Sequence, residues 1–199
     1  MRGQEGEFRE LLGAAGLDGG VVEGLLIFLG LLGRWGRVCD LTASLPAHDL
    51  VRDHVLESLA GVPWVPAGVV VDVGSGAGFP AIPILLARRD VHGVLVEPRA
   101  RRWAFLKEVV RELGLDAEVR RGRVEGLGLA EVAGATVRGL AREVWEGGVG
   151  GLVGGGGRLL WWAGPRAPAG PPAGWKGVVT SPLPNPKRGR LVVWERCST

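Results

Sequence analysis

The sequence predicts an α/β fold: an open, mostly parallel sheet with helices on both faces, a terminal antiparallel hairpin, and a helical extension in front. Three observations carry this prediction. From residue 69 onward, short apolar β-branched runs alternate with amphipathic stretches, which is the pattern of βαβ units. The run VVVDV at 69–73 is apolar almost throughout, as expected of a strand buried on both faces of a parallel sheet. The first 60 residues carry apolar residues at three- and four-residue spacing instead.

In that first part, FRELLGAAGL and VVEGLLIFLGLLGRW are helical by spacing. LTASLPAHDLVRDHVLESLAG adds another helix, with Ser44 or Asp49 as its cap and Gly61 as its close. The proline-rich VPWVPAG at 62–68 separates this extension (1–62) from the core (63–199) of one predicted domain. FPAIPILLARR reads as a helix, since Pro80 and Pro83 are tolerated in a first turn. GVLVE at 93–97 is the second strand, and ARRWAFLKEVVRELGL the second core helix, with Gly114 at its end. AEVRRGRVE (117–125) and ATVRG (135–139) read as the third and fourth strands. REVWEGGVGGLVGGGG (142–157) reads as a helix weakened by glycine, at about 1 kcal/mol each against alanine. RLLWWAG is the fifth strand, and GVVT with RLVVWER forms the hairpin around SPLPNPKRG.

The 199 residues suffice for one domain with a full core. Hydrophobic residues make up 46% and charged residues 23%, within the globular range. The apolar stretch at 24–33 is half of the roughly 20 residues a membrane span needs, so no membrane association is expected. MRGQEGEFRE has no apolar segment, so no signal peptide is expected. Cys39 and Cys197 stand alone, with no zinc spacing, which suits a reducing cytoplasmic setting without a metal. The 35 glycines, eight tryptophans and arginine-rich basic set all have GC-rich codons, which accounts for much of the bias. Charge is unevenly placed: residues 1–62 carry five basic and nine acidic residues, residues 63–199 carry 19 and 12. The second part therefore offers a basic surface to an anionic partner.

VVVDVGSGAGFP, at 69–80, runs from strand to helix through three alternating glycines. Such a loop lets a ligand lie against the backbone at the carboxyl edge of a sheet. A triphosphate loop would need GxxxxGK[ST], and no lysine is near. A dinucleotide fingerprint would place its third glycine at 79, which is Phe79. Asp72, Gly74, Gly76 and Gly78 form D-x-G-x-G-x-G, which resembles the first motif of class I S-adenosylmethionine-dependent methyltransferases with their Rossmann-like sheet. Glu97, ending the second strand, suits two ribose hydroxyls but does not choose the ligand.

GSGAGFPAIP, followed by LVE and RRWAFLKEVVRELGL, resembles the RsmG (GidB) family of small-subunit ribosomal RNA methyltransferases. CDLTASLPAHDLVRDHVLESLA is similar to that family's N-L-T-A…H-x-x-D-S-L stretch, GRVE to its S-R-V-E, and VRGLA to its S-R-A. The motifs follow in family order over nearly the whole chain. The resemblance implies a guanine-N7 methyltransferase of 16S rRNA that uses S-adenosyl-L-methionine as cofactor. It implies Gly74 and Phe79 on the methionine and ribose part, Glu97 on the ribose, Val124 and Glu125 flanking the adenine, and Arg138 near the reacting groups. His54 matches the family histidine. The sequence differs from the family at Asp40, Glu57, Ala81, Val137 and Gly139, while Ser58 keeps the family serine.

N7 of guanine carries a free lone pair at neutral pH, so its methylation needs no general base. The sequence agrees with that economy: tyrosine is absent, NPKR at 185–188 shares only two letters with [DNS]-PP-Y, and no Pro-Cys dipeptide occurs. The major groove of duplex RNA is deep and narrow, so the target has to lie in a loop or leave its stack. Candidate RNA contacts are His54, Arg99, Arg101, Arg102, Arg123, Lys187, Arg188 and Arg190, and the expected partner is small-subunit rRNA or the assembled subunit, met by a monomer. Arg138 is expected to act at the site rather than to carry the fold. The alternatives are a catalytically silent rRNA-binding protein of this fold, the same fold acting on another RNA or a small molecule, and an NAD-dependent oxidoreductase, which Phe79 disfavours.

Overall fold

The computed structural model describes residues 2–41, 45–126, 128–129, 131–168 and 170–198. Its N-terminal part is helical: α1 spans Arg2–Ala14 and α2 spans Gly19–Trp35, capped by Asp18, whose carboxylate accepts from Gly20 N–H at 2.8 Å. A third helical rod follows as α3 (Ala47–Leu50), a π-helical turn (Val51–Leu56) and α4 (Glu57–Leu59). Asp49 lies inside this rod, with Pro46 at the cap position, and Ser44 lies outside the described residues.

The sheet has seven strands: β1 Gly68–Val73, β2 Val91–Glu97, β3 Ala117–Arg121, β4 Val132–Arg138, β5 Val153–Ala163, β6 Trp175–Pro182 and β7 Arg190–Arg196. Their order is β3-β2-β1-β4-β5-β7-β6. The first five pair in parallel, and β7 pairs antiparallel with both β5 and β6. The strand order reverses beside β1, between β2 and β4, which opens a crevice at the carboxyl ends where such sheets take ligands.

The helices linking these strands are α5 (Ala81–Ala87), α6 (Ala100–Leu113) and α7 (Arg142–Gly150). Pro80 caps α5 and Pro83 sits in its first turn, where the missing N–H has no partner to lose. Gly114 ends α6 in the left-handed conformation at φ 56°. Two sequence-based assignments need correction. The glycine-rich helix stops at Gly150, and VGGGG at 153–157 belongs to β5 instead. Glycine weakens a helix; Val153 and Arg158 pair with Val132 and Gly134 of β4, and the glycines 154–157 form the irregularity between these two pairs. The third strand ends at Arg121, and Val124–Gly126 forms a 3₁₀ turn.

Alternation along the strands divides the core in two. Val70, Leu95, Leu160 and Trp162 face the layer of α2, α5, α6 and the helical rod. Val71, Val94, Leu159 and Trp161 face α7. On the first side, Phe28 of α2 stacks against Phe79 at 5.1 Å and Phe105 of α6 at 6.4 Å, and Trp35 meets Phe105 at 5.9 Å. Trp35 Nε1 also donates to Glu108 at 3.0 Å. On the second, Trp145, Trp161 and Trp194 pack ring on ring at 5.2–6.3 Å.

Phe105 is fully buried between the extension and the sheet. Phe105→Ala should cost about 3–5 kcal/mol, from lost burial and the cavity left behind. The measurement is the urea unfolding midpoint, and an unchanged midpoint would contradict this packing.

Candidate active site

The glycine loop joins β1 to α5 by way of three left-handed residues, Gly74 at φ 73°, Gly76 at 55° and Gly78 at 89°. Each conformation is one that side chains other than glycine adopt at a cost. A Cβ on Gly74 would stand 2.9 Å from Leu140, and one on Gly78 would stand 2.8 Å from Ile82. The glycines are therefore required by the turn and by close packing, and they are not incidental to a glycine-rich composition.

The next strand locks this loop. Glu97, 4% exposed at the end of β2, accepts from Gly76 N–H at 2.9 Å through Oε2 and from Arg99 N–H at 2.8 Å through Oε1. Two backbone donors fix the carboxylate, and each oxygen keeps a lone pair for another donor. Asp72 lies beneath the loop. Its Oδ1 accepts from Thr136 Oγ1 at 2.6 Å, which ties β1 to β4, while Oδ2 has no partner among the described residues. Burial pushes Asp72 up to about 6.

A cavity of about 500 Å³ opens in the crevice, within the roughly 300–1,000 Å³ range of small-molecule sites. Gly74, Arg123, Val124, Glu125 and Leu140 line it. Glu97 sits between Val96 and Pro98, which also line it. The sequence thus brought Gly74, Glu97, Val124 and Glu125 to one place. Phe79 and His54 turn instead toward the extension, where their rings meet at 5.1 Å.

Arg138 ends β4 beside this crevice and reaches into the helical rod. Nη2 donates to the Asp53 carbonyl and to Glu57 Oε2, both at 2.5 Å; Nη1 donates to Ser58 Oγ at 3.1 Å and to the His54 carbonyl at 3.3 Å. The guanidinium is 11% exposed and the Glu57 side chain 1%. Burial lowers Arg138 to about 10 and raises Glu57, although each partner's charge opposes the shift. The expectation that Arg138 is free of structural duty is therefore corrected: it holds the rod to the sheet.

Sequence reasoning missed the rest of this network. Asp53, 6% exposed, takes two hydrogen bonds from Arg52 and lies 3.3 Å from Asn185 Nδ2. Arg188 Nε stands 3.2 Å from Glu57 Oε1, outside hydrogen-bond geometry, and its Nη1 lies 3.9 Å from Asp53. The signal in the sequence was Asp53 and Glu57 at helical spacing, with Asn185 in the NPKR segment.

The remaining candidate cations are spread around the surface. Arg102 donates to the Asp40 carbonyl at 2.7 and 3.1 Å, and Arg101 reaches the Val38 carbonyl at 3.5 Å. Arg190 donates to the carbonyls of Ala167 at 2.7 Å and Pro168 at 3.3 Å. Arg99, Arg123 and Lys187 are exposed.

Removing one partner of a buried ion pair leaves the other charge uncompensated, at about 3–5 kcal/mol. Arg138→Ala should lose that much stability, and the double variant Arg138→Met with Glu57→Leu should lose less than Arg138→Ala. Denaturant titrations test this, and equal losses would show that the two groups do not couple. Burial, together with the charges of Arg138 and Arg188, lowers His54 to about 4. An unfolded histidine titrates near ~6.5, so the unfolded chain binds the extra proton between these values. This contribution to stability is complete above about pH 6.5 and is lost as pH falls toward about 4. Asp72, raised to about 6, works in the opposite direction, losing stability as pH rises through that value. His54→Gln removes only the first effect. Wild type should lose melting temperature relative to this variant between about pH 7 and about pH 4.5, and parallel pH profiles would rule the linkage out.

Among solved structures, the chain resembles a SAM-dependent methyltransferase from Aquifex aeolicus, with a TM-score of 0.56 at 15% identity over 83% of this chain and 97% of that one. It also resembles a methyltransferase from Geobacter sulfurreducens, with a TM-score of 0.57 at 14% identity over 86% and 88%. At such identities the likeness shows the fold alone. By sequence, it is 39% identical over 126 residues to Ribosomal RNA small subunit methyltransferase G of Halorhodospira halophila, covering 63% of this chain and 60% of that protein. The protein of the same name from Nitrosospira multiformis is 44% identical over 104 residues, covering 52% and 48%. The chain thus spans between about half and 60% of the length of these curated relatives. The model of the GidB family, described as rRNA small subunit methyltransferase G, matches residues 22–146. That match takes in more than half of the chain and both the glycine loop and Arg138, and the chain belongs to the GidB family.

Proposed function

We propose that this chain is one methyltransferase domain that transfers a methyl group from S-adenosyl-L-methionine to N7 of a guanine in small-subunit rRNA, acting in the cytoplasm. The observation that carries the cofactor assignment is the glycine cradle beside a doubly anchored Glu97. Any Cβ at Gly74 would push into Leu140, so the backbone surface is kept bare at the mouth of a cavity of about 500 Å³. Glu97 offers its remaining lone pairs to the ribose hydroxyls, while Val124 and Glu125 flank the adenine and Arg138 stands near the reacting groups.

When bound, the cofactor supplies an electrophilic sulfonium methyl: the N7 lone pair forms the new C–N bond, and the electrons of the broken S–C bond stay on sulfur. No proton moves, so the protein needs no general base at the acceptor. Its contribution is to hold the acceptor in line and to exclude water. On the donor side, the Glu97 carboxylate is fixed in advance by two backbone N–H groups and would hold the cofactor's ribose at no reorganisation cost. Exposed Arg99, Arg123 and Lys187 are free to meet phosphates, together with Arg101 and Arg102, which also brace the turn at Val38–Asp40. The family membership and the names of the relatives support rRNA as the substrate.

Glu97→Gln should weaken binding of S-adenosylmethionine at least tenfold, about 1.4 kcal/mol, as measured by calorimetry. With labelled cofactor and unmodified small subunits, wild type should place label on guanine N7, mapped by nuclease digestion and mass spectrometry. Cofactor binding with no transfer to subunits or free rRNA would favour a silent rRNA-binding protein instead.

A further inference from the structure

The start of α7 forms one wall of the crevice cavity, and that wall carries a charge with no part in the fold. Glu143 and Val144, in the first turn of the helix, line the cavity together with Leu140 just ahead of it. A second cavity, of about 470 Å³, lies beside the first and shares Leu140 and Glu143 with it. The neighbouring Arg142 is held within the fold: it donates to Glu146 through two bonds of 2.9 Å and to the Gly170 carbonyl at 2.8 Å. Glu143 is exposed and makes no hydrogen bond or ion pair with any described residue. Val144 beside it is 61% exposed, apolar surface left open on the same wall.

The helix runs along the cavity, and its two ends meet different parts of the site. Leu140 packs against the glycine loop, 2.9 Å from where a Cβ on Gly74 would stand. A Cβ on Gly148 would stand 2.7 Å from Val124 and 3.0 Å from Glu125. At about 1.5 Å per helical residue, the five steps from Glu143 to Gly148 cover about 7.5 Å. Glu143 therefore belongs to the Gly74 end, and Val124 and Glu125 to the other.

We propose that Glu143 is a specificity-determining residue of the cofactor site, favouring the sulfonium cation of S-adenosylmethionine over the uncharged thioether of its product, S-adenosylhomocysteine. The inference rests on the cofactor reading above, in which Gly74 meets the methionine part and Val124 and Glu125 flank the adenine. The two ligands differ by one methyl group and one positive charge, and apolar walls read only the methyl. A carboxylate beside Leu140 and Val144 reads the charge, because an attraction between charges near a protein surface is several times stronger than in water. Arg123, whose charge would oppose this, precedes Val124 in the chain and lies at the adenine end. On transfer the positive charge passes from sulfur to the methylated base, so the spent cofactor loses its attraction to Glu143 in the step that makes it. An acid in the first turn of a helix also complements the helix dipole. That role alone would affect stability and weaken both ligands alike.

Calorimetric titrations of S-adenosylmethionine and S-adenosylhomocysteine into wild type and Glu143→Gln read the ratio of the two dissociation constants. The variant should shift that ratio about fivefold or more toward S-adenosylhomocysteine, and Glu143→Lys should shift it further in the same direction. An analogue with C–NH₃⁺ in place of S⁺–CH₃ should follow S-adenosylmethionine, which separates charge from shape. Added salt should narrow the difference between wild type and Glu143→Gln. An unchanged ratio in both variants, with both ligands still bound, would overturn the role of Glu143 and leave the cofactor reading standing. Binding of neither ligand by wild type would overturn both.

Discussion

The buried pairing of Arg138 with Glu57 is the constraint on which the arrangement of this molecule rests. Arg138 is the last residue of β4, and Glu57 belongs to the helical rod of the extension, so a single guanidinium fixes one layer against the other. The π-helical turn supplies two of its acceptors, the carbonyls of Asp53 and His54. A buried ion pair is expensive to desolvate and adds little net stability compared with apolar packing. What it does confer is register. The placement of the rod that gives Arg138 its four acceptors also sets His54 against Phe79.

Phe79 carries the constraint on to the ligand-binding end. Its ring is clamped between His54 and Phe28, and its backbone is the last step of the glycine loop before α5. The loop is held from the other side by Glu97, which also holds the start of the segment leading to α6. A helical extension, two strand ends and a loop are therefore parts of one mechanical unit. The same strand end leads directly to Gly139 and Leu140, which line the second cavity. This contiguity places a structural arginine and the wall between two cavities within three residues of each other.

Much of this was legible in the sequence. The alternation of buried strands and amphipathic helices is a local pattern, and the strands it marked after residue 69 are in the sheet. The glycine spacing, Phe79 and Glu97 were legible because a tight turn and an anchored carboxylate demand particular residue types. The glycine-rich segment at 153–157 was not legible, since neither helix nor strand propensity favours glycine, and the pairing of Val153 and Arg158 with β4 on either side of the glycines decided the outcome. The ion network was not legible. Its members come from three distant segments, Asp53 with Glu57, Arg138, and Asn185 with Arg188, and nothing local shows that these segments meet or that the fold removes their water. Arg190 reads equally well as a phosphate contact, yet its guanidinium holds the Ala167–Pro168 carbonyls.

By itself, the sequence determined what short-range chemistry controls: an α/β sheet, a glycine turn that leaves backbone bare for a ligand, an acid at the end of the next strand, and the family to which these residues point. The tertiary structure alone decided which charges are spent on holding the molecule together and which remain free. It also decided that β4 and β5 end side by side, so that Leu140 and Glu143 separate two hollows. Both outcomes depend on desolvation and on contacts between distant segments, and no local pattern of residues encodes either.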